Sequence, residues 1–261
     1  MADSPLIHPS AVIHPAAQVG AGTRVGPFAV IEADVSIGAN CEIHGHSVIR
    51  SFTRIGDRAK IYPFVCIGAE PQHLKYKGEP TTVEIGNDVT LRENVTVHRG
   101  TTMGIGTTKI GDGSFIMAYC HVAHDCVIGK RVIMANSVQC AGHVEVGDGT
   151  FLGGTTVVAQ FVRIGSYCYI GGASGFNHDC PPFVIGREAP LKVIGVNVVG
   201  LRRAGFSEET ILKIRQVFRI FFVRKETVSK AIERVTVEFG DLPEAQMFLK
   251  FVQTSKLGIG R

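Results

Sequence analysis

A six-residue beat of aliphatic residues constrains this chain more than anything else in it. From Ile7, steps of six land on Ile13, Val19, Val25, Ile31, Ile37, Ile43, Ile49, Ile55, Ile61 and Ile67. A second run takes Ile110, Ile116, Val122, Ile128, Met134, Cys140, Val146, Leu152, Val158, Ile164 and Ile170, and a short middle run has Ile85, Leu91 and Val97. A helix face repeats every ~3.6 residues, so this period is not a helix. It fits a triangular coil with one short strand and one corner per hexad. The aliphatic residue points inward, and a small neighbour lets the chain turn, as in Ile37-Gly38 and Ile55-Gly56. Eighteen residues complete one coil, and coils stack as parallel strands at ~4.8 Å. The repeat predicts a mainly β chain, a parallel β-helix over residues 1–182.

Two interruptions break the beat. Residues 69–82 (AEPQHLKYKGEPTT) are polar and rich in Pro and Gly, and residues 98–108 shift the phase. Both are expected as loops pushed out of the prism, where binding groups are often carried. After Cys180-Pro181-Pro182 the six-period stops, and residues 183–261 are expected as a helical domain. Ser207 before Glu208-Glu209 is a helix N-cap with an acidic first turn. Ile211, Ile214, Phe218, Phe221 and Phe222 then form an apolar helical face, and 227–239 and 243–255 predict two further helices. Such a bundle would cover the open edge of the last coil.

Charge is divided unevenly. Residues 183–261 hold 14 Lys/Arg against 8 Asp/Glu, whereas residues 1–182 hold 13 against 15. The tail is therefore the part suited to an acidic partner; no aromatic stacking pattern points to nucleic acid. The opening Met1-Ala-Asp-Ser-Pro has no basic or apolar leader signature, and no apolar run reaches the ~18 residues of a membrane span. The seven cysteines contain no CxxC pair. They read as reduced small hydrophobes of a cytoplasmic protein.

Period arithmetic gathers histidines. Position 142 lies one coil above 124, and 143 one coil above 125, so His121, His124, Asp125, Gly142 and His143 form one patch. A His beside an Asp is the pairing that orients and tunes a general base. Corner residues that satisfy backbone groups would give the same pattern. Three histidines could also hold zinc. The γ-type carbonic anhydrases use His on such a prism, but with His-x4-His spacing where this chain has His-x2-His.

The hexads resemble those of the hexapeptide-repeat acyltransferases, whose prisms are left-handed. Five longer strings narrow the likeness: QHLKYKGEPT (72–81), EIGNDVTLRENVTVHRGT (84–101), HVAHDC (121–126), AGHVEVGD (141–148) and GVNVVGLRRAGF (195–206). Together they resemble the UDP-N-acetylglucosamine O-acyltransferases of lipid A synthesis, over the whole chain. The resemblance implies transfer of a 3-hydroxyacyl chain from acyl carrier protein to the 3-hydroxyl of UDP-N-acetylglucosamine. It implies His124 as general base, Asp125 as its orienting partner and the Gly142 N–H as oxyanion donor, with no covalent acyl-enzyme, cofactor or metal. It implies nucleotide-sugar contacts from Gln72, His73, Leu74, Lys75, His121, His143, Gln160, Asn197 and Arg203, and an acyl-length ruler at Gly172. It also implies a homotrimer with sites between subunits, and docking of the acidic carrier on the basic tail.

Four positions depart from the family pattern. His73 stands where Asp is usual, Ala159 where His is usual, Val199 where Glu is frequent, and Ala204 in place of the second Arg of a pair. They leave open a 3-amino sugar as acceptor. Another hexapeptide-repeat transferase, or a non-catalytic β-helix scaffold, are the alternatives.

Overall fold

The computed structural model describes residues 6–224 and 226–260; the leader reading on Met1–Pro5 lies outside the described residues. The hexads build a left-handed parallel β-helix. Among the described residues, its three faces are sheets of eleven, nine and eight strands. Most strands are two residues long, such as Ile133–Met134 and Phe151–Leu152. Each pairs in parallel with the strand one coil away: Ile61 faces Ile43 on one side and Leu91 on the other.

The inward residues of the repeat are buried from Val25 to Ile170. The first coil is different: Ile7 is exposed and Ile13 and Val19 only half-buried, because nothing stacks below them among the described residues. The beat read from the sequence is only half of the inward pattern. Two residues before each strand-centred aliphatic comes a second buried position, held by small side chains such as Ala29, Val35, Cys41, Ser47, Thr53 and Ala59. Five cysteines (41, 120, 126, 168 and 180) fall in this layer, and Cys140 takes an aliphatic position; all six are buried and all seven cysteines are free thiols. The third residue after most of the inward aliphatics adopts a left-handed backbone. Asp34, Asn40, Asp125 and His143 have φ of 55°, 56°, 60° and 64°. Asp, Asn and His enter that region more readily than other non-glycine residues.

Two segments leave the coil, against the expected 69–82 and 98–108. Strand Cys66–Ala69 leads out and strand Thr82–Ile85 leads back, so the first loop is 70–81; the second, between strands Thr96–His98 and Thr107–Ile110, is 99–106.

Two strands lie beyond Pro182. Val184–Arg187 extends the prism in parallel with Tyr169–Ile170, and Lys192–Val196 folds back on it antiparallel. Four helices follow: α1 (Val198–Arg203), α2 (Glu208–Phe222), α3 (Val228–Phe239) and α4 (Pro243–Thr254). The Ser207 hydroxyl accepts from Thr210 N, capping α2. The buried face of α2 is Ile211, Ile214, Val217, Ile220 and Phe221. Phe218 and Phe222, expected there, are half-buried and stack on each other at 4.9 Å. A second apolar core joins the helices to Phe183 at the end of the prism. The tail is tied down by polar contacts as well. Ser255 Oγ donates to Asp179 Oδ2 at 2.7 Å, and the Arg163 guanidinium lies 4.5 Å over the Phe251 ring. No helix among the described residues is long and apolar enough to cross a membrane.

Leu91, fully buried between Ile61 and Ile116 at mid-prism, tests the load on the inward column. Leu91→Ala is expected to cost about 2–5 kcal/mol, read as a lower urea midpoint at unchanged slope.

Candidate active site

The coil register sets His124 at one corner and puts Gly142, Gln160 and His178 above it at successive coils. The corner is tight at the first step. A Cβ added to Gly142 would sit 2.5 Å from His124 Cε1 and 2.7 Å from Nε2. Glycine is therefore what allows the backbone to lie against the imidazole. No acceptor among the described residues takes the Gly142 N–H.

His124 and Asp125 are only 4% and 3% exposed. His124 Nδ1 lies 2.9 Å from Asp125 Oδ2. Burial works against charge on Asp125, but hydrogen bonds from the Thr101 hydroxyl, the Thr101 N–H and His124 outweigh it and hold the carboxyl below its ordinary value. An ionised carboxylate only accepts, so the neutral tautomer of His124 that this contact selects has its proton on Nδ1 and its lone pair on Nε2. The hold on Asp125 comes from the phase-shifted loop. Thr101 Oγ1 donates at 2.7 Å, Thr101 N at 3.0 and 3.1 Å to the two oxygens, and Gly106 N at 3.1 Å. Gly104 lies so close that any side chain there would overlap the carboxylate. The sequence offered no residue-level sign of Thr101; its only trace was the 13-residue step from Val97 to Ile110 that expels the loop.

Further histidines surround the pair. His143 sits edge-on to His124 with centroids 5.0 Å apart, its Nδ1 3.9 Å from Asp125 Oδ2. Burial lowers its pKa against the pull of Asp125. His121 is hydrogen-bonded through Nδ1 to Thr96 Oγ1 at 2.7 Å, and burial, then the charge of His124, lowers its pKa. His98, not foreseen, packs edge-on to His121 at 4.8 Å and is 7% exposed with an unpartnered Nδ1. Burial and the neighbouring His121 and His124 push its pKa down to about 4. His124, Asp125 and His143 could in principle approach one metal ion. The Asp125 oxygens, however, already accept from Thr101, Gly106 and His124.

A cavity of about 370 Å3 opens on this corner, lined by Gln72, His121, His124, Gly142 and Gln160, with Gln139 and Val157 also along its wall. His73 meets the His124 ring edge-on at 5.3 Å, so one departure from the family pattern stands beside His124. Leu74 and Lys75 are exposed on the 70–81 loop and do not line the cavity. Neither does Gly172, on a different corner above Gly154. Asn197 is 8% exposed and already engaged: Oδ1 accepts from Gly200 N and Nδ2 donates to the Tyr167 carbonyl. Arg203, Val199 and Ala204 are exposed on or beside α1.

The tripeptide His124-Asp125-Cys126 recurs as His178-Asp179-Cys180, three coils on at the same corner. The second copy is used differently. Asp179 accepts from Arg163 N at 2.8 Å and from Ser255 Oγ at 2.7 Å, anchoring the tail.

A repeating prism with a histidine-lined cavity at one corner is an architecture that hexapeptide-repeat transferases have, and the comparisons place the chain among them. The bacterial transferase hexapeptide profile matches residues 34–69 and 107–142, and the UDP N-acetylglucosamine O-acyltransferase domain 2 profile matches 179–260. The acyl-[acyl-carrier-protein]–UDP-N-acetylglucosamine O-acyltransferase of Thermodesulfovibrio yellowstonii is 46% identical over 98% of this chain and 99% of its own. LpxA from Acinetobacter baumannii superposes with a TM-score of 0.95 at 40% identity, covering 98% of this chain and 100% of that one. LpxA from Bacteroides fragilis gives 0.95 at 38%, covering 98% and 100%. The chain belongs to the UDP-N-acetylglucosamine O-acyltransferase family.

His98 yields a pH prediction. The folded chain binds its proton only near pH 4, against an ordinary value of 6.5. Between those values the unfolded chain holds more protons, so acid favours unfolding. Wild type should lose stability relative to His98→Asn as pH falls from 6.5 towards 4, read as converging or crossing urea midpoints. Parallel curves would contradict it.

Proposed function

We propose that this acyltransferase moves a 3-hydroxyacyl chain from acyl carrier protein to the 3-hydroxyl of UDP-N-acetylglucosamine, as the first step of lipid A synthesis, in the cytoplasm. The observation that carries the mechanism is the buried His124–Asp125 pair under an unused Gly142 N–H. Asp125 fixes the His124 tautomer with the lone pair on Nε2, and its charge stabilises the imidazolium. Nε2 takes the proton of the sugar hydroxyl as its oxygen attacks the thioester carbonyl. A C–O bond forms, and the tetrahedral oxyanion is met by the Gly142 N–H. Collapse breaks the C–S bond, and the departing carrier thiolate takes the proton back from His124.

Direct attack is supported by the state of the nearest thiols. Burial pushes Cys120 up to about 11 and Cys126 up to about 12, and both side chains face the prism interior. Neither offers a thiolate to carry an acyl group. Gln72, His73, His121, His143 and Gln160 surround the base and are assigned to the sugar nucleotide. Leu74, Lys75, Gly172, Asn197 and Arg203 lie outside that cavity within one copy. A homotrimer with sites between neighbours would gather what one chain leaves apart. Exposed apolar residues on the same side of the prism, Val157 at 52% and Phe161 at 57%, suit such a contact. The carrier is assigned to the basic tail.

With 3-hydroxyacyl carrier protein and UDP-N-acetylglucosamine, mass spectrometry should find the 3-O-acyl sugar nucleotide. His124→Ala should lower the rate about 10²–10⁴-fold with an unchanged circular dichroism spectrum. A normal rate in that variant would sink the mechanism.

A further inference from the structure

Four consecutive residues, His98-Arg99-Gly100-Thr101, brace the site from behind, and Arg99 has a use the mechanism does not account for. Its side chain is 9% exposed, unusual for an arginine. Nε and Nη2 both donate to the Tyr76 hydroxyl, at 3.0 and 2.6 Å. Nη1 reaches the Gly68 carbonyl at 3.4 Å, and Glu70 lies 3.6 Å away. The guanidinium also lies 5.6 Å from the Phe52 ring centroid and 5.5 Å from that of Tyr76. The Tyr76 hydroxyl in turn donates to the Glu79 carbonyl at 2.8 Å. One phenol thus ties the returning limb of the 70–81 loop to a buried cation rooted in the prism. Tyr76 N donates to the His73 carbonyl at 3.0 Å, so the tie reaches the residue lying on the His124 ring. At the far end Thr81 Oγ1 donates to the Gly100 carbonyl at 2.6 Å.

We infer that the Arg99–Tyr76 clamp is a positioning device for the nucleotide-sugar side of the site: it holds Gln72 and His73 over His124 while touching no reacting atom. The inference rests on the proposed substrate. Arg99 is suited to the task because its planar fork puts two donors on one oxygen and because it stays charged when buried. A lysine would offer one point contact. Removing either partner frees a loop whose other side chains at Leu74, Lys75 and Lys77 are exposed.

The test uses the full-length enzyme as wild type, Arg99→Met, Arg99→Lys and Tyr76→Phe. Both Arg99→Met and Tyr76→Phe should raise KM for UDP-N-acetylglucosamine about tenfold, with kcat and KM for the acyl carrier protein changed far less. Arg99→Lys should recover part of the loss. Trypsin should cut after Lys75 or Lys77 several-fold faster in Arg99→Met and Tyr76→Phe than in wild type. An unchanged KM with wild-type cleavage rates in both variants would overturn the clamp. So would a fall in kcat alone, which would place Arg99 in the chemistry. If wild type makes no product from UDP-N-acetylglucosamine, the substrate reading fails on its own, and the cleavage rates still decide the clamp.

Discussion

Everything in this molecule depends on the stacking register of its coils. A parallel strand of two residues has little pairing energy of its own, so each coil is held by the column of aliphatics it adds to and by the ladder bonds to the coils on either side. Inward residues such as Ile61, Leu91 and Ile116 meet at fixed partners. The corners inherit that order. A slip of one hexad would leave the core aliphatic yet separate Gly142 from His124 and His143 from Asp125. The chemistry is therefore set by a packing constraint spread over many coils.

The register brings the groups together, and the loops bias them. His124 could be an ordinary corner histidine. In the proposed mechanism it becomes a directed base because Asp125, in a left-handed corner conformation, is surrounded by donors from Thr101 and Gly106. Those donors exist because the eight residues 99–106 leave the coil and wrap the corner. The repeat of His-Asp-Cys at 178–180 shows what happens without them: Asp179 is captured by Arg163 and Ser255, and the tail is docked instead. Burial of the surrounding histidines keeps His98, His121 and His143 inclined to the neutral form.

What was legible in the sequence is what has a short period. The coil, the column of aliphatics, the pairing of 124 with 142 and of 125 with 143, and the Ser207 cap all follow from spacing. The second inward layer was harder to see, because Ala, Ser, Thr, Cys and Val share no single chemical signature beyond size. Thr101 and Arg99 were not legible as working residues, since their partners lie 24 and 23 residues away across loops of irregular length. Asn197 was flagged by family likeness as a nucleotide contact; in the fold its amide caps α1 and bonds Tyr167.

The closeness of Gly142 to His124 is the point at which register becomes chemistry, and it can be measured against a neighbour. Gly154 is another prism-corner glycine, where an added Cβ would come no closer than 3.3 Å to the Asn136 carbonyl. Single-turnover rates should fall at least about a hundredfold in Gly142→Ala and stay near wild type in Gly154→Ala, with both variants folded. Equal rates in the two variants would contradict the claim that the stacked corner makes the site.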